Sequence, residues 1–289
     1  MSPGSEITLS GLPFRPGVVL LRRYRLQQVL GVGRTAIVYA ADGRRGERVA
    51  VKALRRELAV ARDERDALLH EGRLLLGFHH AYVPRLIEIV QDGPVPALVM
   101  QRIPGADLDR QDCLRPATPV EIAHRLGGAA DAVAALHGRG LVHGDIKPAN
   151  LCRGGNGAAR LIDFGTTGPA GGAGRFGDAG RPDRVVTPVY ASPQLMQGHP
   201  PAPADDVYAL AVVAYELAAG RHPYGGQPPV PGDLPARPEG LGPSGWAWIA
   251  AALAHDRADR PTDPRGLAAA LLADFPMVHL LRRLSPWHA

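Results

Sequence analysis

Of the 33 basic residues in this 289-residue chain only Lys52 and Lys147 are lysine, so 33 − 2 = 31 are arginine. A compact ammonium on a thin stem delivers one localised positive charge where a planar guanidinium fork fits poorly. The surroundings of these two lysines are therefore the first place to look for chemistry. Lys147 stands in His143-Gly-Asp145-Ile-Lys147-Pro-Ala-Asn150. In such a loop Asp145 can orient a hydroxyl and accept its proton, and Lys147 can steady the charge of a moving phosphoryl group. The amide oxygen of Asn150 suits a hard metal ion. Thirteen residues after Asn150, Asp163-Phe-Gly165 offers a second oxygen ligand ahead of a glycine-rich stretch.

Lys52 ends the run Val49-Ala-Val-Lys52, beside Gly31-Val-Gly33-Arg-Thr-Ala36-Ile-Val38. Glycines two apart between strands let backbone amides approach phosphate oxygens closely, and the Lys52 ammonium could neutralise phosphates under that turn. Alone, such a pair of glycines usually marks a hairpin. A dinucleotide-binding turn would open a helix; here a β-branched strand follows. A lysine in an apolar run needs a partner if buried. Glu71, three residues after Leu68 and four before Leu75, lies on the buried edge of the next helix and can supply one.

These groups need elements to hold them. Tyr24 to Leu30, Ala36 to Ala41 and Arg48 to Ala53 read as strands, with Asp42-Gly43 as a turn and Val49 and Val51 on one face. Arg55 to Phe78 reads as a helix burying Leu58, Ala61, Leu68, Leu75 and Leu76. Arg85 to Gln91 and Ala97 to Arg102 read as two further strands, making a small antiparallel sheet with one helix. Thr118-Pro-Val-Glu121 is a capping box that opens a helix to about His137. Short apolar pieces follow at Leu141-Val142, Leu151-Cys152 and Leu161-Ile162, and residues 165 to 183 read as an exposed loop. Ala204 to Ala219 is a helix ended by Gly220. Residues 225 to 245 hold six prolines and six glycines and cannot be an ordinary helix. Trp246 to Ala254 and Pro264 to Phe275 close the pattern, the latter capped by Asp263.

Composition narrows the field. The chain is 45% hydrophobic and 21% charged, enough for a real core in one large domain or two small lobes around a shared cleft. No uncharged apolar run reaches a membrane span of about 18 residues, and no secretory signal is apparent. Two cysteines, Cys113 and Cys152, make a disulfide framework improbable and fit a reducing, cytoplasmic setting. The formal charge of +5 comes from arginines that alternate with acids rather than forming one stripe. It reflects an Arg-, Ala-, Gly- and Pro-rich composition of bacterial type, not a nucleic-acid or acidic-membrane footprint.

With these motifs in order, the chain resembles the protein kinases from about Tyr24 to Phe275, most closely the bacterial Ser/Thr kinases of eukaryotic type. The resemblance implies an α+β, bilobal protein-kinase-like fold. It divides the chain into an N-terminal tail (1–23), a kinase domain (24–275, with lobes of about 24–103 and 104–275) and a C-terminal tail (276–289). It implies ATP and Mg2+ as cofactors and phosphorylation of Ser/Thr hydroxyls on protein substrates. Asp145, Lys147, Lys52 and Glu71 would be catalytic, and Asn150 and Asp163 metal ligands. Leu30, Gly31, Gly33, Ala36, Val38, Ala50, Lys52, Met100, Gln101, Ile103 and Cys152 would hold ATP, with Met100 as gatekeeper and 101–103 as hinge. His143 would stack with Phe164 and Leu75 as structure rather than act as a base. The Asp of Asp206-Val-Tyr-Ala-Leu210 would brace the catalytic loop.

The chain departs from the family pattern at four places. Ala36 replaces a loop glycine, and Gln194 replaces the glutamate that normally pairs with the late arginine, here Arg260. Gly144 stands where most relatives have arginine. The Pro/Gly stretch occupies the place of a substrate-docking helix. Between Thr167 and Thr187 the loop has no Ser, Thr or Tyr, so it is expected to reach its active shape without phosphorylation, with Thr187 a structural contact to Asp145 and Lys147. Control would then fall to expression or a regulatory partner. His-Gly-Asp is also the form found in aminoglycoside-type phosphotransferases, but Lys147 and Arg260 argue for a protein kinase. A pseudokinase scaffold would normally have lost Lys52, Asp145, Asn150 or Asp163.

Overall fold

The computed structural model describes residues 12–91, 93–108, 115–172, 188–230 and 232–274. The chain divides into two compact units, Met1–His80 with Pro84–Ile103, and Ala81–Val83 with Pro104–Ala289.

The first unit is a six-stranded antiparallel sheet with one helix. Its strands are β1 (Val19–Leu20), β2 (Tyr24–Val32), β3 (Ala36–Asp42), β4 (Arg48–Leu54), β5 (Leu86–Val90) and β6 (Ala97–Gln101). They lie in the order β1-β2-β3-β4-β6-β5. Strand β4 is interior, so Val49, Ala50, Val51 and Ala53 are all buried, and Lys52 is registered between Val38 of β3 and Leu98 of β6.

The chain enters this sheet before Tyr24. Leu21 (φ 51°) and Arg22 (φ 53°) take left-handed conformations in a turn closed by the Arg23 N–H to the Leu20 carbonyl at 2.9 Å. The Tyr39 hydroxyl donates to the Phe14 carbonyl at 2.9 Å, which ties residues ahead of β1 to β3.

Helix α1 spans Arg62–Gly77, seven residues shorter at its start than the periodicity predicts. Arg55 to Ala61 instead make hydrogen-bonded turns, and the N-cap, Ala61, has no side chain with which to cap. The buried face is Ala67, Leu68, Glu71, Gly72 and Leu75, while Leu76, expected inside, is 60% exposed. Three successive leucines cannot share one face, and Gly72 decides which stripe turns in. A Cβ there would stand 2.6 Å from Leu98 Cδ2, so the helix lies against the sheet at this residue.

The second unit is mainly helical. Helix α2 (Pro119–His137) begins with both halves of the expected capping box: the Glu121 N–H donates to Thr118 Oγ1 and the Thr118 N–H to the Glu121 carboxylate. Short strands follow: β7 (Leu141–Val142), β8 (Leu151–Arg153), β9 (Ala159–Leu161) and β10 (Gly168–Pro169), paired β7 with β10 and β8 with β9. Helix α3 is the single turn Pro193–Met196, and α4 (Pro203–Ala219) is buried along most of its length, ending at Gly220 with φ 67°. After it comes the Pro/Gly stretch, which has no helix among its described residues up to Pro243.

Helix α5 (Pro243–Ala252) starts three residues before the expected Trp246 because Asp274 caps it from outside. The Ser244 N–H and Oγ–H donate to the Asp274 carboxylate at 2.9 and 2.7 Å. Helix α6 is Gly266–Ala273, and the expected cap, Asp263, accepts the Arg265 N–H rather than a helical amide. Cys113, Phe275, Thr187 and Arg175, Arg181 and Arg184 lie outside the described residues.

Candidate active site

In the first unit, the Lys52 ammonium lies 2.7 Å from both carboxylate oxygens of Glu71. Both side chains are largely buried, at 11% and 3% exposure, so each is the other's answer to desolvation. The pair exists because an interior strand turns Lys52 toward α1 and Gly72 lets that helix approach. The turn between β2 and β3 is closed by the Gly33 N–H to the Ala36 carbonyl at 2.9 Å. A Cβ at Gly31 would meet nothing within 4 Å, so the protein itself leaves that backbone open. Arg55, which sequence reasoning missed, holds this turn: its N–H donates to the Thr35 carbonyl and its Nε–H to the Gly33 carbonyl at 3.0 Å. Ala36 and Ala50 are buried, Val38 and Met100 half-buried, and Leu30 and Gln101 exposed.

In the second unit, residues 143–150 connect β7 to β8. The Lys147 ammonium lies 2.7 Å from Asp145 Oδ2, and the Asn150 amide nitrogen donates to Asp145 Oδ2 at 2.9 Å and to its carbonyl at 2.7 Å. The loop is braced from below. Asp206, in the first turn of α4 and 1% exposed, accepts the His143 N–H (2.8 Å), the Gly144 N–H (2.8 Å) and His137 Nε2–H (2.9 Å). Three donors and the positive end of the helix dipole compensate its burial. Gly144 sits at φ 78°, where the absence of a Cβ removes strain.

His143 is fully buried and receives the Asp145 N–H on Nδ1 at 3.3 Å, so its proton sits on Nε2. Its ring meets Phe164 edge-on, with centroids 5.2 Å apart. That Nε2 has no partner among the described residues, and no hydroxyl reaches it. Asn150 and Asp163 come together because β8 and β9 pair and the Ile162 N–H donates to the Asn150 carbonyl at 2.9 Å. Asp163 adopts φ 63° and accepts the Gly165 N–H on Oδ1 at 3.3 Å. Cys152 is buried, which together with nearby Asp107 pushes its thiol up to about 11 and leaves it unreactive.

The donor set can be tested against Mg2+. Asn150 spends its amide nitrogen on Asp145, so its hard side-chain oxygen is the end left for a ligand, and Asp163 follows the residue whose N–H is bonded to the Asn150 backbone. Among the described residues no group of three or more His, Cys, Asp or Glu could hold a metal. A cation held by one or two protein oxygens, completed by water and substrate phosphates, is the way Mg2+ is usually bound. The residues fit the ion.

The late-helix region forms a latch. The Arg260 Nη2–H donates to Gln194 Oε1 at 2.7 Å, and Gln194 in turn donates to the His255 carbonyl at 2.6 Å. Asp205 receives Ser192 Oγ–H at 2.7 Å and a two-pronged contact from Arg257 at 3.0 and 2.8 Å.

The protein kinase domain profile matches residues 24–230. The chain belongs to the protein kinase family. Serine/threonine-protein kinase PkaB of Streptomyces coelicolor is 37% identical over 223 residues, covering 72% of this chain and 51% of that protein. PkaA of the same organism is 38% identical over 226 residues, covering 71% and 40%. Serine/threonine-protein kinase PknA of Mycobacterium tuberculosis is 31% identical over 244 residues, covering 76% and 56%. The chain thus spans about half the length of the curated relatives it matches. The crystal structure of the M. tuberculosis PknI kinase domain superposes with a TM-score of 0.68 at 24% identity, over 90% of this chain and 99% of that one, a likeness of fold. The family as a whole uses ATP and Mg2+, and the α+β, two-part architecture is that of a kinase.

Proposed function

We propose that this chain transfers the terminal phosphoryl group of ATP to serine or threonine hydroxyls of protein substrates. The observation that carries the reading is the Asp145–Lys147–Asn150 cluster, held rigid by Asp206 and joined through Ile162 to Asp163. Phosphoryl transfer asks little covalent chemistry of the protein; it asks for positioning and charge neutralisation. Asp145 orients the acceptor hydroxyl and takes its proton, while Lys147 keeps the carboxylate in place and offsets negative charge on the moving group. Lys52, fixed by Glu71, binds phosphate oxygens, and the backbone near Gly31 and Gly33 approaches them. Asn150 and Asp163 hold Mg2+, which supplies further neutralisation of the phosphates. Leu30, Ala36, Val38, Ala50, Met100, Gln101, Ile103 and Cys152 receive the nucleotide.

The latch formed by Gln194 and Arg260 and the contact of Lys147 with Asp145 support a protein acceptor over a small-molecule one. The intact Lys52–Glu71 pair supports activity over a nucleotide-binding scaffold. We place the protein in the cytoplasm, with Cys152 as a buried free thiol, acting on proteins and answering to a regulatory partner. Among the described residues no helix is long and apolar enough to cross a membrane. The test is incubation of the purified chain with labelled ATP and Mg2+, offering dephosphorylated casein, a basic protein mixture and aminoglycosides in parallel. Label on serine or threonine, lost with Asp145→Asn, supports the reading; label on the aminoglycosides alone refutes it.

A further inference from the structure

The turn just before helix α3 forms one wall of a small pocket beside the proposed base: Tyr190, Ala191 and Leu195 line it together with Gly144, Asp145 and Ile146. Beside the Tyr190–Glu216 and Ser192–Asp205 bonds, this turn is held at Val189 by a histidine 33 residues further along the chain. His222, half-buried after α4, contacts the Val189 carbonyl through Nε2 at 2.7 Å. Its other nitrogen, Nδ1, faces two backbone donors, the N–H groups of Tyr224 (3.1 Å) and Gly226 (3.0 Å). A carbonyl oxygen can only accept and an amide N–H can only donate, so the ring has one workable state: hydrogen on Nε2, lone pair on Nδ1. A second proton would have to sit on Nδ1, against two N–H groups. The ring is also wedged edge-on between the rings of Tyr190 (5.9 Å) and Tyr224 (6.2 Å).

Among the described residues no carboxylate is bonded to the imidazole to favour its cation. Among the described residues the titratable groups around it are Tyr190 from the turn, Tyr224 from its own loop, the adjacent exposed Arg221, and Glu216 of α4, which is engaged by the Tyr190 hydroxyl at 2.9 Å. Burial holds the imidazole below the ordinary histidine range, in keeping with that geometry.

We propose that His222 is a positioning residue for the protein acceptor: in its single Nε2–H form it pins the Val189–Ala191 turn beside Asp145, and protonation releases that turn. This deepens the kinase reading and rests on it. Loss of one such hydrogen bond is expected to raise the acceptor KM roughly tenfold without moving the KM for ATP, because His222 touches the acceptor wall and none of the residues assigned to nucleotide. In wild type the acceptor KM rises as pH falls below the ordinary histidine range.

The experiment uses the full chain with dephosphorylated casein as acceptor, comparing wild type, His222→Ala and His222→Gln. Gln offers Val189 an N–H but cannot titrate, so it should recover most of the acceptor KM and flatten its acid rise. An acid rise of wild-type size in His222→Gln would overturn the link to protonation of the ring. Independently of activity, the imidazole 15N spectrum of the wild-type chain should show His222 singly protonated on Nε2 at neutral pH and resistant to acid. An Nδ1–H or doubly protonated ring at neutral pH overturns the proposal, as does an unchanged acceptor KM in a folded His222→Ala. If His222→Ala does not fold, the Gln variant's pH profile and the wild-type spectrum decide. Absence of any transfer by wild type defeats the kinase reading, whereas the spectrum still reports whether the ring pins the turn.

Discussion

Gln194 serves two neighbours at once: its oxygen accepts from the buried Arg260 guanidinium at 2.7 Å while its nitrogen donates to the His255 carbonyl at 2.6 Å. It is therefore not a weakened glutamate. A carboxylate would strengthen the contact to Arg260 and set an oxygen against the His255 carbonyl. Arg260 has further carbonyl partners at Ala254, Ala204 and His255, and lies over the Tyr208 ring at 4.9 Å.

Gln194→Ala removes both bonds, one of them charge-assisted, and is therefore expected to cost about 1.5–3 kcal/mol. Arg260→Met should cost about 3–5 kcal/mol, because it strips a buried network of its donor. Urea denaturation with fitted m-values measures both; equal costs for the two variants would count against this division.

Turnover rests on the charged clusters. Asp145→Asn and Lys52→Met are each expected to lower phosphoryl transfer by at least roughly a hundredfold. Lys52 and Glu71 act as one unit, so in a cycle of Lys52→Met, Glu71→Ala and the double variant the losses should fall well short of additive. Additive losses in steady-state kinetics would show that the two do not work together.

Gly72 sets the distance between helix and sheet. Gly72→Ala places a Cβ against Leu98 and Ile89, both packed in the sheet, and should cost about 1–3 kcal/mol while raising the ATP requirement. Thermal denaturation alongside the KM for ATP tests this. Unchanged values for both would mean that the leucine end moves aside freely.

The start of the activation loop is already ordered by contacts of its own. Gly168 and Pro169 pair with Val142 and Leu141, the Thr166 hydroxyl donates to the His143 carbonyl at 2.8 Å, and Thr167 is 2% exposed. Neither hydroxyl is presented for modification. Phosphatase-treated enzyme should therefore start at full rate. A lag that disappears in the Thr166→Ala, Thr167→Ala variant would overturn that expectation.

Burial raises the Glu216 carboxyl above its ordinary range, against the opposing hydrogen bond from Tyr190. A raised carboxyl binds its proton more readily in the folded state, so its stabilising contribution is present at low pH and lost as pH rises through the folded value. Glu216→Gln, which keeps an acceptor for Tyr190 without the charge, should therefore gain stability at neutral pH. The gain should fade as pH drops from the raised value through the ordinary carboxylate range. Urea midpoints measured across pH follow it; a gain independent of pH would assign the effect to packing instead.

What could be read in the sequence was whatever is settled within one turn or one loop. Asp145, Lys147 and Asn150 act on each other across five residues, and Thr118 caps with Glu121 three residues on, so spacing alone announced them. Glu71 was legible because helical periodicity places it on an inner edge. Other features depend on partners far along the chain: Asp274 caps α5 from 30 residues away, and His222 holds Val189 across 33. The Leu21–Arg22 turn was silent for a different reason, since neither residue carries the glycine or asparagine signature of positive φ. Leu75 and Leu76 were both expected inside, and only tertiary packing at Gly72 chose between them.

Asp206 joins three pieces of the second unit through one carboxylate: the end of α2, the loop at His143 and Gly144, and the start of α4. The amides it binds are not on a surface that can fray; freeing them requires α4 to leave the core it fills. Hydrogen exchange at His143 and Gly144 should accordingly proceed only through wholesale opening of this unit, at the slowest rate in the chain. Heat inactivation should coincide with its melting instead of preceding it.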